Sequence, residues 1–450
     1  MHVPLNQRVG DQGLGDRTFG PELGPERRSG QRFGVLDVLF SIETSFILFL
    51  VAGRYKALPE FQSFPVDPTL LFFVLTLGLI VHKCAMGQLK PMPLDAPGLL
   101  MLAFCAYGFV SVYWSSLEPK NVDKAWRFVM VSVSGYFLAS VLAQEQERRE
   151  RMVLLMIAFS GALLLYYAYF RWVVGIDIYE LENTGRIRGN NYLEYGTHAA
   201  YVFYGCLALT VYGPRRWLAA GIAGGVASLF LLAFIGARGP LVFSLLGIPL
   251  AGAALFLNLR RLGAGVRRLA LLLLVLAVLA WVGYGALVAV KGFAAASEEL
   301  YTIERLSLQL SNESTSSLDV RSAGRDLAFR RWLEQPLFGW GMGEFRLQYS
   351  VLDYPHNLLL EVLMEMGLVG AVLFIPTQII ALFVCFRVVR DPVCGWIDMA
   401  IVLKFVTDFV SHLSVEGYLG DNRIYFALLA LAIGLRHSDR SALSGQGRAA

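Results

Sequence analysis

The sequence predicts an all-α, polytopic membrane protein of about 12 transmembrane helices, with a long external loop between the ninth and tenth. Three observations carry that expectation. Of the 450 residues, 56% are hydrophobic and only 16% are charged, where a soluble domain carries about 25% charged residues. The mean hydropathy of +0.54 leaves too little polar surface to wrap a single core, so lipid must solvate much of the chain. The apolar residues also gather into runs long enough to cross about 30 Å of hydrocarbon as helices.

Residues 1–33 are polar, rich in Gly, Pro and Arg, and lack an apolar h-region, so a disordered cytoplasmic N-terminus is expected rather than a cleaved leader. Apolar runs follow near 35–53, 69–86, 97–115, 125–143, 152–173, 195–213, 218–236, 241–258, 269–290, 366–386, 395–413 and a short 424–436. They make 34–436 one helical membrane domain, with 437–450 as a cytoplasmic tail. With the long loop set aside, one set of alternate connections carries more than twice as many Lys and Arg as the other. Basic flanks stay in the cytoplasm, so both termini are expected there and the loops 174–194 and 291–355 outside. A cysteine at Ser316 in a cysteine-free background should react with an impermeant reagent in outer-membrane-permeabilised cells. Protection of that site would reverse the orientation.

The net charge of +4 is too small to mark a nucleic-acid partner, and the bilayer is the partner that composition implies. Cys84, Cys105, Cys206, Cys385 and Cys394 lie at irregular spacing in or beside apolar runs, which suggests neither a disulfide framework nor a zinc site.

Cations near a bilayer cost about 2.5–3.5 kcal/mol each at mid-depth, so arginines at the outer ends of spans call for a reason. Arg186 and Arg188 lie in the first external loop, Arg238 in the turn GARGP, and Arg321 and Arg325 in an amphipathic stretch, 318–333, expected to lie on the outer membrane surface or roof the bundle. One such arginine alone can snorkel to lipid phosphate. Several on one face form an anion site, since guanidinium forks grip diphosphate bidentately. His356, in DYPHN, stands where the long loop ends. Asp353 as cap and Pro355 in the first turn would place it at a helix N-terminus, whose field keeps imidazole neutral and fit to act as a base. A lone interfacial histidine bonded to a loop carbonyl is the competing reading, with Asp353 and Glu344 as alternative bases. PLFGWGMG (336–343) lacks the strand and Lys-Ser/Thr of a phosphate loop and reads as a close-packed turn. Lys404, Asp408 and His412 share one helical face, as a proton path in a secondary transporter or as a self-neutralising pair. The external loops hold no Asp-x-Asp cluster, so no metal cofactor is expected.

Four segments together resemble the O-antigen ligase and polymerase superfamily of bacterial inner-membrane glycosyltransferases: GRIRGNNYLEYGTHAAY (185–201), ARGPL (237–241), RSAGRDLAFRRWLEQPLFGWGMGEF (321–345) and YPHNLLLEVLMEMGLVGAVLF (354–374). The chain departs from the family pattern at Ala237, where many members carry Ser. The resemblance implies transfer of a glycan from undecaprenyl diphosphate to a hydroxyl acceptor outside the membrane, with inversion and without metal or nucleotide. His356 would then be the base, and Arg186, Arg188, Arg238, Arg321 and Arg325 would hold the donor diphosphate. Ligation of O-antigen to lipid A-core is the leading expectation. Polymerisation onto another glycan is the alternative from the same donor.

Overall fold

The computed structural model describes residues 41–56, 58, 65–176, 192–258, 261–291, 300, 302–303, 306 and 316–437, and these are helical, with turns between the helices. Helix α1 (Ile42–Lys56) is followed by α2 (Pro68–Ala85) and α3 (Ala96–Val110). The Asp67 carboxylate accepts from Thr69 N at 2.8 Å and that of Asp95 from Gly98 N at 3.1 Å, each ahead of a proline in the first turn. Both helices therefore start where an acceptor and a fixed φ coincide. Next come α4 (Pro119–Arg127), α5 (Ser134–Leu142), α6 (Gln146–Tyr169), α7 (Tyr192–Tyr212), α8 (Leu218–Ile235), α9 (Arg238–Leu257) and α10 (Leu262–Lys291). The C-terminal part holds α11 (Ser316–Glu334), the short α12 (Glu344–Gln348), α13 (Leu358–Arg390), α14 (Trp396–His412) and α15 (Arg423–Gly434).

Among the described residues, eight helices are long and apolar enough to span a membrane, fewer than the twelve expected. The other four apolar runs correspond to α1, α7, α14 and α15. Of these, α15 is buried along nearly its whole length and α7 and α14 along most of theirs. A helix walled by other helices is free to carry the polar residues that hydropathy counts against it. At the periphery, α2 and α10 expose Leu70, Val74, Val81, Leu274, Trp281 and Val282, a surface suited to lipid.

The amphipathic stretch forms α11, and its neighbour 336–352 folds beneath it. Ala328, Phe345 and Met364 are fully buried together, packed by Trp340, Tyr349, Leu352 and Leu360. The carboxylate of Glu344 accepts from Ser116 N and Ser116 Oγ, both at 2.6 Å, and from Asn121 Nδ2 at 2.9 Å, tying this layer to the start of α4.

Beneath this layer, α13 is broken. It begins at Leu358, eight residues ahead of the expected span, and Gly367 adopts φ 65° and ψ −161° inside it. The groups freed by the break bond to the glycine-rich turn. Trp340 N and Gly341 N donate to Met364 O and Glu365 O at 2.9 and 2.8 Å, while Leu368 N and Val369 N donate to Pro336 O and Leu337 O at 2.8 and 3.2 Å. Tyr107 Oη donates to Met366 O at 3.0 Å. A Cβ on Gly367 would lie 2.3 Å from Leu337 O, so only glycine fits there. PLFGWGMG is thus a packing turn whose backbone completes a membrane helix.

A candidate active-site cleft beside His356

The polar ends of α1, α7, α14 and α15 and the segment 413–422 enclose a cleft of about 1180 Å³, counted to its open mouth. Arg321 from α11, His356 from the turn before α13, and Gly239 and Pro240 from the first turn of α9 complete its wall. Arg238 itself is half-buried at that same turn. Arg325 stands one helical turn after Arg321 and donates from Nη1 to Ser414 O at 3.1 Å. Arg186 and Arg188 lie outside the described residues.

His356 is 9% exposed and occupies the left-handed region at φ 54°, a strained backbone for a non-glycine residue. Its Nδ1 faces Val415 O at 2.9 Å. A carbonyl only accepts, so Nδ1 carries the proton and Nε2 is left with a lone pair. The ring lies 4.3 Å from that of Tyr354, which in turn packs at 5.5 Å on Tyr418. Burial, then the charge of Arg321, lowers the His356 pKa from 6.5 to about 4, with Arg325 adding to the effect. The imidazole is therefore neutral, as expected, but for a different reason. The helix starts four residues later than supposed, capped by Asn357 in place of Asp353, with the Asn357 Oδ1 accepting from Leu360 N at 2.9 Å. Asp353 instead pairs with Arg346 at 2.9 Å. With Glu344 held by Ser116 and Asn121, neither alternative carboxylate serves the cleft.

The stripe on α14 resolves into a Lys404–Asp408 ion pair, with the ammonium 4.1 Å from the Tyr201 ring centroid. This is the self-neutralising pair rather than an open relay. Sequence reasoning missed that Asp408 and His412 also line the cleft. His412 bonds Asp408 O through Nδ1 at 2.7 Å and Asn422 Oδ1 through Nε2 at 3.1 Å. Also missed were the Arg54–Glu194 pair at 2.5 Å, and Arg423, which faces Asp421 at 3.6 Å. Charges at the ends of α1, α7 and α15 were the available signal. Among the described residues, no group of three or more His, Cys, Asp or Glu is placed to hold a metal ion.

The cleft can do two things chemically. Arg321, which pairs with no carboxylate among the described residues, offers its guanidinium to an anion, and Nε2 of His356 offers a neutral acceptor to a hydroxyl. Comparison with curated proteins finds no match to the chain. The family model described as O-antigen ligase matches residues 223–375, a stretch that contains Arg238, Arg321, Arg325 and His356. About a third of the chain, with Arg321 and His356 on the wall of one cleft in an all-helical membrane protein, is thus similar to the O-antigen ligase family.

Proposed function

We propose that the protein moves a glycan from undecaprenyl diphosphate to a hydroxyl acceptor at the periplasmic face of the bacterial inner membrane, ligating O-antigen to lipid A-core. The observation that carries this reading is the pairing of Arg321 and His356 on one cleft within the segment that matches the O-antigen ligase family. A diphosphate leaves readily once its growing charge is met, and guanidinium groups from Arg321, Arg325 and Arg238 meet it without a metal ion. Arg186 and Arg188 join that set in the same proposal. The acceptor hydroxyl hydrogen-bonds to Nε2 of His356 and attacks the anomeric carbon from the face opposite the diphosphate, which inverts the configuration.

The lipopolysaccharide profile of a deletion strain tests the reading. Rough core with accumulated lipid-linked polymer is the expected result, while a ladder that stops at one repeat would assign polymerisation instead. In a purified transfer assay the rate should persist in excess EDTA. A rate that collapses and returns with magnesium or manganese would overturn the arginines' role.

A further inference from the structure

Four carboxylates line the cleft: Glu194, Asp408, Glu416 and Asp421. Three face cations, namely Arg54, Lys404 and Arg423. Glu416 is half-buried, and among the described residues no ion pair or hydrogen bond reaches its carboxylate. A carboxylate with no partner of its own, held at one position on the cleft wall, can accept a hydrogen bond from a group that enters the cleft.

That position is dictated from several sides. Val415 N and Glu416 N both donate to Ser411 O, at 2.8 and 3.1 Å. The flanking carbonyls of Leu413, Ser414 and Val415 bond to Asn357 Nδ2, Arg325 Nη1 and His356 Nδ1, at 2.6, 3.1 and 2.9 Å. The following residue, Gly417, has φ 117°, and a Cβ there would meet Leu358 at 2.8 Å. Leu419 N donates to the buried Glu361 carboxylate at 3.2 Å. The groups that fix His356 and Arg325 are thus carbonyls of the same turn that presents Glu416.

We propose that Glu416 is a second catalytic residue of the transfer, the group that finally receives the proton of the attacking acceptor hydroxyl. The inference rests on the glycosyl-transfer reading above and extends it. Electrostatics decides between the two proton acceptors. A proton left on His356 would place a third cation beside Arg321 and Arg325, whereas a proton on Glu416 neutralises an anion. The carboxylate also repels diphosphate, which places Glu416 on the acceptor side of the cleft. In the step, the hydroxyl hydrogen is held between His356 Nε2 and the Glu416 carboxylate. The oxygen lone pair forms the new bond to the anomeric carbon. The bond from that carbon to the diphosphate oxygen breaks, its electron pair leaving with the diphosphate, and the hydroxyl proton passes to Glu416.

The test uses the full-length protein in lipid nanodiscs, with undecaprenyl-diphosphate-linked O-antigen as donor and lipid A-core as acceptor. Glu416→Gln keeps the shape and removes the proton acceptor, so kcat should fall about 10²-fold or more, while binding of undecaprenyl diphosphate stays within about twofold. Glu416→Asp should recover part of the rate, and His356→Ala/Glu416→Gln should be no slower than the slower single variant, because both act on one proton. The proposal is overturned if Glu416→Gln turns over at near wild-type rate, if it loses donor binding in equal measure, or if Glu416→Asp is no better than Glu416→Gln. Were the unsubstituted protein to transfer no glycan from the lipid diphosphate, the broader reading would fall first, a result distinct from a failure confined to Glu416.

Discussion

His356→Ala is expected to slow glycan transfer by about 10²–10⁴-fold while leaving undecaprenyl diphosphate bound. In the proposed transfer the variant would remove the lone pair that aligns the acceptor hydroxyl, and it leaves the arginines in place. The pH profile adds a second readout. Because burial and Arg321 hold the folded pKa near 4, below the 6.5 of a free imidazole, the ring stays neutral through mildly acid conditions. Unfolded chains bind more protons at this site between those two values, so it contributes stability above pH 6.5 that is lost as pH falls toward 4. The acid limb of transfer should accordingly lie well below pH 6.5. Arg321→Gln, assayed at saturating donor, should move that limb upward, since one of the charges opposing imidazolium is gone. An acid limb at 6.5 that ignores Arg321→Gln would show that the neutral ring of His356 is not required.

Lys124→Ala is expected to destabilise the protein on the order of 3–5 kcal/mol, the range for breaking a buried ion pair from one side. The Lys124 ammonium lies 2.6 Å from Glu361 Oε1 and 2.7 Å from Glu365 Oε1, and both carboxylates are fully buried. Without the lysine, two acids one helical turn apart face each other with no cation between them. Thermal unfolding in detergent should show a markedly lower midpoint, and Lys124→Met/Glu361→Leu/Glu365→Leu should recover much of the loss because no buried charge remains. A melting curve unchanged by Lys124→Ala would mean that the cluster is not the fastening that its geometry implies. Glu361 also holds Leu419 N, so weakening this cluster should loosen the turn that carries Glu416.

The apolar runs located most helices because a span in lipid must satisfy its own backbone, and that requirement is written locally in hydropathy. The pair Lys404–Asp408 was legible for the same local reason, a spacing of four on one helix. What sequence could not supply was the cleft as an assembly. Arg54, Glu194 and Arg423 lie on three separate helices and Glu416 in the segment 413–422, and nothing in their spacing says that α1, α7, α14 and α15 bring them together. The start of α13 was misplaced because Asp353 and Asn357 are both good caps. Tertiary contacts chose between them, with Arg346 claiming the aspartate. His356 was found from its place at the loop's end, but its neutrality comes from burial and from arginines on another helix.

The break at Gly367 has a consequence for the order in which the chain assembles. A span whose carbonyls and amides are left open cannot rest in hydrocarbon, where each unmatched group costs several kcal/mol. Its partners, residues 336–341, precede α13 in the chain and are therefore made before it. When α13 enters the bilayer the complementary strip of backbone already exists, joined to it through fewer than twenty intervening residues. Synthesis from the N-terminus thus delivers the brace before the beam it supports. A circular permutant that moved 316–345 behind α13 would have to insert this helix with its middle unbraced.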